Sequence, residues 1–284
     1  MGRVSLDIIQ GDNLEVLKSL SSSKVQLIYT DPPFNTKKEQ HKVSLKMVPS
    51  EVGERKGYKD KLYKAEVIGD ISYNDTFEDL SKFLYPRIEE CNRILTPNGS
   101  IFIHLDYREI HDVKVKVMDP IFGKSNFMNE IIWAYDYGAK PKNRWPAKHD
   151  TILWYVKDSN DYIFNYNQMD RVPYMAPSLV TEEKASKGKI LTDVWWNTIV
   201  CGKEKTGYPT QKPVALLERI VKVHSNPEGL LLDLFAGSGT FGQAAISYGR
   251  SCILIDEKKE AIEIMEKRFS NSQLFCDINI SKEI

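Results

Sequence analysis

Apolar and polar positions follow two different periods along the chain, one typical of strands and one typical of helices. Short apolar runs rich in β-branched residues predict buried strands at 6–10, 25–30, 100–105, 130–135, 151–156, 230–235 and 251–256. Apolar positions at helical spacing predict helices at 13–20, 78–95, 211–224, 241–248 and 258–269. Because strands and helices alternate, we expect an α/β fold with a doubly wound, mostly parallel sheet.

Two stretches interrupt this alternation. Residues 37–76 are polar and rich in lysine, and they show no sustained period, which predicts a long loop of functional importance. Residues 158–207 mix aromatic side chains with basic and small ones and are expected to form an inserted lobe. The main domain would then comprise 1–36, 77–157 and 208–284.

The length and composition indicate a globular protein with a full hydrophobic core. A chain of 284 residues suits one large α/β domain with an insertion. Because it has neither an apolar run of about 18 residues nor a signal-peptide core, we expect a soluble, cytoplasmic protein. The four cysteines lie far apart, which predicts reduced, buried thiols and no metal site: Cys91, Cys201, Cys252 and Cys276.

The charge is balanced in total but segregated along the chain. With 39 basic and 39 acidic residues, the net charge gives no reason to propose nucleic acid as a partner. Basic residues nevertheless cluster at 37–64, 140–148 and 184–189, whereas acidic residues dominate 257–266. A basic cluster by itself is most often a solvated loop, so its meaning depends on where the active site lies.

The first candidate site is Asp31-Pro32-Pro33-Phe34, which follows the strand predicted at 25–30. Each proline fixes its own φ and pushes the preceding residue towards extended geometry, so the loop has a stiff backbone. Such a loop can bind an amino group between a carboxylate and a carbonyl oxygen, while the aromatic ring stacks beside it. The alternative is a turn-forming acid at the end of a strand.

The second candidate site is a glycine-containing turn near the C-terminus. The strand at 230–235 leads through Gly237 and Gly239 into a helix, and Asp256 follows about 20 positions later, as expected of a ribose-binding carboxylate. This arrangement predicts a site for a nucleoside cofactor. The string at 237–242 also matches the dinucleotide fingerprint, so a dehydrogenase remains an alternative on this motif alone, as does a turn without a ligand.

Taken together, the segments 31–34 and 233–240 resemble the catalytic and cofactor motifs of DNA amino-methyltransferases that depend on S-adenosylmethionine. The catalytic motif comes first, as in the β group of that family. The resemblance implies a Rossmann-like methyltransferase sheet with circularly permuted motif order and an inserted target-recognition region. Segments 11–17 and 209–213 also match. The resemblance covers about 5–35, 77–157 and 208–270.

The resemblance implies a reaction at an exocyclic amino group of a DNA base. Asp31 and the carbonyl oxygen of Pro32 would accept its two hydrogen bonds, and Phe34, which replaces the commoner tyrosine, would stack on a base flipped out of the duplex. Asp rather than Ser at position 31 favours adenine N6, and N4-cytosine remains open. A non-catalytic nucleic-acid-binding module is a further alternative, whereas RNA or protein glutamine is disfavoured because its usual signature has Asn here.

The resemblance also implies a set of cofactor-binding residues. Asp12 would lie at the adenine ring, Asp233 at the ammonium and Asp256 at the ribose hydroxyls. Thr210 and Lys212 would lie near the carboxylate, although Lys212 is equally compatible with a solvated lysine at a helix start. The expected cofactor-binding residues are therefore Asp12, Thr210, Lys212, Asp233, Phe235, Gly237, Gly239, Thr240 and Asp256.

The implied partner is double-stranded DNA, and this gives the basic clusters a meaning. Residues 37–76 would form a DNA-contacting loop because they leave directly from the catalytic motif. Residues 158–207 would recognise the target sequence, and the basic residues beside Trp145 would contact backbone or bases. The family resemblance also implies a homodimer and leaves open a separate restriction endonuclease.

Overall fold

The computed structural model describes residues 4–49, 55–56, 62–138, 140–196, 198–270 and 276–282. The strands are β1 (Val4–Gln10), β2 (Val25–Thr30), β3 (Lys38–Pro49), β4 (Arg55–Lys56), β5 (Leu62–Asp75), β6 (Leu95–Leu105), β7 (Phe127–Ala134), β8 (His149–Val156), β9 (Arg171–Val172), β10 (Lys189–Ile190), β11 (Val194–Trp196), β12 (Leu230–Asp233), β13 (Ser251–Asp256) and β14 (Cys276–Lys282).

The α-helices alternate with these strands. They are α1 (Asn13–Ser19), α2 (Leu80–Ile94), α3 (Ile110–Val113), α4 (Asp119–Phe122), α5 (Glu182–Lys187), α6 (Val214–His224), α7 (Thr240–Ser247) and α8 (Lys259–Phe269). A π-helical turn at Lys114–Met118 joins α3 to α4. None of the helices described here is long and apolar enough to cross a membrane.

One large sheet contains nine strands in the order β11-β7-β8-β6-β2-β12-β13-β1-β14. Neighbouring strands are parallel, except that β8 runs antiparallel to both β6 and β7. This confirms the predicted mostly parallel α/β sheet. β2 and β12 are direct neighbours, with Asp233 in register with Tyr29, so the catalytic and glycine-containing loops leave the same edge of the sheet side by side.

The core lies on both faces of this sheet, which explains the continuous apolar runs in the sequence. Along β2, Leu27 and Tyr29 belong to the core on one face, which α6, α7 and α8 cover, and Ile28 belongs to the other, which α1, α2 and α4 cover. Strands buried on both faces have no polar side to alternate with. The sequence therefore predicts β2 and β13 with the bounds that the structure shows.

Residues 37–76 do not form the predicted loop. β3 and β5 pair antiparallel from Lys38 with Asp75 to Pro49 with Tyr63, and β4 adds to the same small sheet. A register shift interrupts the pairing after Ser44. Val43, Leu45 and Met47 of β3 do alternate with polar residues as in a strand, but this short pattern lies within a lysine-rich stretch and was not recognised from the sequence. Whether this hairpin contacts DNA remains a prediction.

The stretch 158–207 is also less separate than predicted. β9 and β10 form a two-stranded sheet, but β11 pairs with β7 and forms one edge of the main sheet. Trp195 accordingly packs in the core, whereas Trp196 is 60% exposed. The expectation of buried thiols is wrong for Cys201, which is exposed, while the other three cysteines are buried.

Candidate active site

The four residues of the catalytic motif lie at the carboxyl end of β2 and line a cavity of about 370 Å³. Residues that follow β12 and β13 line the same cavity, among them Gly237 and Asp256. The cavity therefore joins the two candidate sites, although they lie about 200 residues apart in the sequence. In open parallel sheets, ligands bind at this edge, beyond the carboxyl ends of the strands.

The side chain of Asp31 forms a buried ion pair with Lys212. The Lys212 ammonium donates to Oδ2 of Asp31 over 2.6 Å, and only 15% of the Asp31 side chain and 10% of the Lys212 side chain are exposed. The same ammonium lies 4.8 Å from the ring centroid of Phe34. Oδ1 of Asp31 is buried and has no hydrogen-bond partner among the described residues. Lys212 is thus not the solvated lysine that was one alternative from sequence.

Asp75 fixes the chain where it leaves the catalytic motif. Its carboxylate accepts hydrogen bonds from the backbone N–H of Asn35 over 2.7 Å and of Thr36 over 3.1 Å, and from the Thr36 hydroxyl. Asn35 has a φ of 54°, and its side chain binds Glu109 and the backbone N–H of Phe77. Asp75 is 1% exposed. Sequence reasoning missed it because a lone acid at the end of a lysine-rich stretch carries no distinctive signal.

A buried chain of polar side chains supports the catalytic motif from behind. The Tyr29 hydroxyl lies 2.7 Å from Nδ1 of His104, and Nε2 of His104 lies 3.3 Å from Asp150, which also accepts from Tyr135. The ring of His104 is 5.9 Å from that of Phe34. Burial opposes ionisation of Asp150, but the interactions with His104, Lys212 and Tyr135 together outweigh it and lower the pKa of Asp150. These contacts connect β2, β6 and β8 with the residue that follows β7, and they restrain Phe34.

The two glycines after β12 are required for different reasons. Gly237 has a φ of 51°, and a Cβ there would come within 2.8 Å of the Tyr208 ring. Gly239 has a φ of 73° and caps α7, and a Cβ there would lie 2.8 Å from Met265 and 2.9 Å from Phe269. Gly237 lines the cavity, whereas Gly239 does not. Gly239 therefore lets α7 pack against α8. It was predicted to contact the cofactor, but it does not line the cavity.

Two carboxyl groups flank this loop, of which Asp233 is buried and Asp256 is half-buried. Asp256 accepts the backbone N–H of Gly237 over 2.8 Å and that of Lys258 over 3.0 Å, and burial raises the pKa of its carboxyl group. Asp233 is 3% exposed and accepts the N–H of Phe235 over 3.1 Å. Burial raises the pKa of Asp233 well above its usual range. No basic group lies within salt-bridge distance of Asp233 in the described part of the chain, so a cationic ligand would complete its environment.

Asp12 has structural partners as well as a place in the cavity. It caps α1 through the N–H groups of Leu14 and Glu15, and it pairs with Arg87 over 2.9 Å. Arg87 also donates to Asn13 over 2.6 Å. Asp12 therefore stabilises this side of the cavity whether or not a ligand is bound.

Aromatic and hydroxyl side chains complete the lining. Phe83 lies between Phe77 and Phe235, with ring centroids 4.8 Å and 6.2 Å away. The predicted residues Thr210 and Thr240 also line the cavity, and Thr240 is 4% exposed. The three rings give the cavity an apolar side that suits a flat ligand.

The comparison with protein families agrees with this geometry. A family described as DNA methylase, of the N6 and N4 amino-methyltransferase type, matches residues 25–267, which include both loops and most of the main sheet. The chain belongs to this family of S-adenosylmethionine-dependent DNA methyltransferases. The resemblance inferred from the two motifs is therefore confirmed, and a dehydrogenase is no longer an alternative for the glycine string.

Individual relatives support the assignment of this methylase. Type II methyltransferase M.HpaI of Haemophilus parainfluenzae is 29% identical over 266 residues, covering 93% of this chain and 74% of that protein. DNA adenine methyltransferase YhdJ of Escherichia coli (strain K12) is also 29% identical, covering 99% of this chain and 88% of that protein.

Solved structures give the same fold. The complex of M1.HpyAVI with S-adenosylmethionine is 25% identical, with a TM-score of 0.59 over 93% of the methylase and 98% of that chain. The cytosine-N4-specific PvuII DNA methyltransferase has a TM-score of 0.63 over 98% of the methylase and 97% of that chain. At 16% identity, the latter likeness concerns the fold alone.

The structure of the methylase brings together nearly all of the residues predicted from sequence. The catalytic motif and every predicted cofactor residue except Gly239 line one cavity. The further lining residues that sequence reasoning missed include Tyr29, Phe77, Phe83, Arg87 and Tyr208. Phe77, Phe83 and Arg87 lie in or just before α2, where apolar spacing alone suggests ordinary core packing.

Proposed function

We propose that this methylase transfers a methyl group from S-adenosylmethionine to N6 of adenine in duplex DNA, and that Asp31 binds the target amino group. The observation that carries this proposal is the unpaired Oδ1 of Asp31. It is buried at the wall of a cavity that also contains the cofactor loop. A buried acceptor without a partner is costly, and an N–H donor of the substrate would satisfy it.

The described residues fit the cofactor. Asp233 is a buried carboxyl group beside which the ammonium of S-adenosylmethionine would supply the opposite charge. The Asp256 carboxylate has lone pairs beyond those that bind backbone N–H groups, and these would accept hydrogen bonds from the ribose hydroxyls. Gly237 has no Cβ, which would otherwise collide with the Tyr208 ring at the cavity wall. When bound, this cofactor supplies an electrophilic methyl group.

The residues of the catalytic motif act on the target base. Oδ1 of Asp31 and the carbonyl oxygen of Pro32 accept the two N–H bonds of the amino group, so that its nitrogen becomes tetrahedral and its lone pair is directed towards the methyl donor. Phe34 stacks on the base. Catalysis is therefore mostly positioning, and Asp31 is also the group that takes the proton lost by the nitrogen.

Two observations favour adenine as the target base. Position 31 carries Asp rather than Ser, and a relative that aligns with almost the whole chain is named a DNA adenine methyltransferase. Cytosine N4 is the second candidate, because its amino group presents the same two N–H donors to the same acceptors, and the PvuII enzyme shares the fold.

The test is to methylate DNA with the purified protein, digest it to nucleosides and identify the product by mass spectrometry. We expect N6-methyl-2′-deoxyadenosine, and N4-methyl-2′-deoxycytidine alone would contradict the choice of adenine. Asp31→Asn should lower the rate at least about 100-fold, since one charged acceptor is lost, and it should change cofactor affinity less than about threefold. Asp112→Asn, in an exposed ion pair with Lys116, is the matched control and should leave the rate unchanged.

A further inference from the structure

We propose that Lys212 is a positioning residue that determines which oxygen of Asp31 faces the target amino group, and that it is not a ligand of the cofactor carboxylate. This inference rests on the proposed role of Asp31 in methyl transfer. It gives Lys212 a different role from the one that the family resemblance implies.

The geometry of the pair supports this role. Lys212 is 9% exposed, and the described acid within salt-bridge distance of its ammonium is Asp31, at 2.6 Å from Oδ2. The ammonium also lies 4.8 Å from the Phe34 ring centroid, so one cation contacts both side chains that would bind the target base. Lys212 is thus placed to fix the orientation of the catalytic motif.

The backbone that carries Lys212 is itself well fixed. The preceding Gln211 donates to the carbonyl oxygen of Glu204 over 2.7 Å and accepts the backbone N–H of Thr206 over 2.9 Å. The following Pro213 has a φ of −65° and precedes α6. Because both neighbours are restrained, the lysine side chain starts from a defined position and reaches Asp31 without ordering a flexible loop.

The two carboxylate oxygens of Asp31 are thereby made different. Lys212 binds Oδ2, and Oδ1 is left buried without a partner in the described part of the protein. Without the ammonium, the carboxylate group would be free to rotate about its terminal torsion, which has a broad energy profile. The charge of Asp31 is also one of the causes that raise the pKa of the Asp233 carboxyl group, and the Lys212 ammonium acts on it in the opposite direction.

A role in binding the cofactor carboxylate predicts different behaviour. The ammonium would have to leave Asp31 and expose a buried, uncompensated carboxylate at the moment when the target base binds. If Lys212 instead orients Asp31, its contribution should be seen in the methyl-transfer step and should disappear when Asp31 is no longer a carboxylate.

The experiment is a double-mutant cycle with Lys212→Met, which keeps the side-chain length, and Asp31→Asn. Single-turnover methyl transfer is measured at saturating cofactor and DNA, and the affinity for S-adenosylhomocysteine is measured by calorimetry without turnover. We expect Lys212→Met to lower the single-turnover rate about 100-fold and to change the affinity less than threefold. In the Asp31→Asn background, Lys212→Met should change the rate less than threefold.

Two further variants distinguish positioning from a general structural defect. Lys212→Arg keeps the positive charge, and its single-turnover rate should be at least tenfold higher than that of Lys212→Met. Lys222→Met removes a half-buried ion pair with Asp170, away from the active-site cavity, and should leave the single-turnover rate unchanged. Both variants should fold, as judged by thermal unfolding. If Lys212→Met does not fold, Lys212→Arg, with Lys222→Met as its control, takes its place in the test.

The inference would be overturned by a tenfold or greater loss of affinity for S-adenosylhomocysteine with an unchanged single-turnover rate, since Lys212 would then bind the cofactor. Equal rate losses in the wild-type and Asp31→Asn backgrounds would also overturn it. The rate is measured as total methyl transferred to DNA, whichever base receives it. N4-methylcytosine as the product would therefore refute adenine as the target base but would leave the result of the double-mutant cycle unchanged. A wild-type protein that binds cofactor but transfers no methyl group would refute the proposed function itself.

Discussion

His224, the last residue of α6, is a histidine enclosed by aromatic rings. Its ring centroid lies 4.3 Å from that of Trp154, 4.8 Å from that of Phe102 and 5.4 Å from that of Phe164. Nδ1 is buried and has no hydrogen-bond partner within the described residues. Burial lowers the pKa of His224 to about 3, so the ring remains neutral in the folded protein at conditions where it is charged in the unfolded chain.

This residue predicts a loss of stability in mild acid. As the pH falls below the unfolded value of 6.5, the unfolded chain binds a proton that the folded protein excludes, so the free energy of unfolding decreases. Between pH 7 and 5, the contribution of His224 should fall by about 2 kcal/mol. His224→Phe fits the aromatic surroundings and should remove this part of the pH dependence. Urea unfolding of both proteins at several pH values measures it, and identical pH profiles would contradict the assignment.

Site residues could be predicted from the sequence where a motif defines them, but the residues that they contact could not. Asp31 and Phe34 stand out because two prolines separate them at the end of an apolar run. The pair between Asp31 and Lys212 joins positions 181 residues apart, and the contact of Asp75 with Asn35 joins positions 40 residues apart. Such contacts depend on which strands become neighbours, and a local pattern does not contain that information.

At the scale of elements, the hairpin of β3 and β5 is attached directly to the catalytic motif. β3 starts at Lys38, four positions after Phe34, and β5 ends at Asp75, whose carboxylate binds Asn35 and Thr36. A movement of the hairpin would therefore be transmitted to a point close to the proposed base-binding residues. This position makes the hairpin a good candidate for contact with DNA.

The lysines of β3 give a test of DNA binding. Replacing Lys38, Lys42 and Lys46 with glutamine should weaken DNA binding, because fewer counterions would be released from the phosphates. The slope of log affinity against log salt concentration should become shallower by about one for each lysine that contacts a phosphate. Fluorescence anisotropy of labelled duplex DNA over a salt series measures this slope, and S-adenosylhomocysteine affinity serves as the control. An unchanged slope would exclude β3 from the DNA interface.

Elements were predictable where burial imposes a pattern on the sequence. β2 and β13 lie inside the sheet and are mostly apolar, so their bounds follow from the sequence. β11 has only three residues and joins the sheet edge by pairing with β7, which neither its length nor its composition indicates. The hairpin was missed because the apolar residues of β3 and β5 are interspersed with lysines and acids and form only short patterns.

For the whole molecule, zero net charge means that DNA affinity must come from the arrangement of charges and not from their sum.

Large exposed apolar side chains are also distributed unevenly along the chain. Many of the most exposed ones lie between residues 137 and 199: Tyr137, Trp145, Met175, Leu179, Trp196 and Ile199. Exposed aromatic and apolar residues in one stretch are typical of a nucleic-acid interface, and four of these six lie within 158–207, whose target-recognition role remains a prediction.

The tryptophans provide a probe of this interface. Trp145 is 95% exposed and Trp196 is 60% exposed, whereas the other three are at most 8% exposed. Binding of DNA should therefore protect Trp145 from acrylamide quenching, while binding of S-adenosylhomocysteine alone should not. Trp145→Phe should remove most of the DNA-dependent change, with Trp196→Phe as the comparison. If DNA leaves quenching of the wild-type protein unchanged, Trp145 lies outside the interface.

The contact between Asp75 and the end of the catalytic motif has a practical consequence for protein engineering. The ends of the segment 38–74 meet at this fixed point, so we expect the segment to be exchangeable as a unit. We expect grafts that retain Asn35, Thr36 and Asp75 to preserve the chemistry while altering the DNA contacts. A library of hairpins inserted between these residues would then vary the substrate sequence without redesign of the reaction centre.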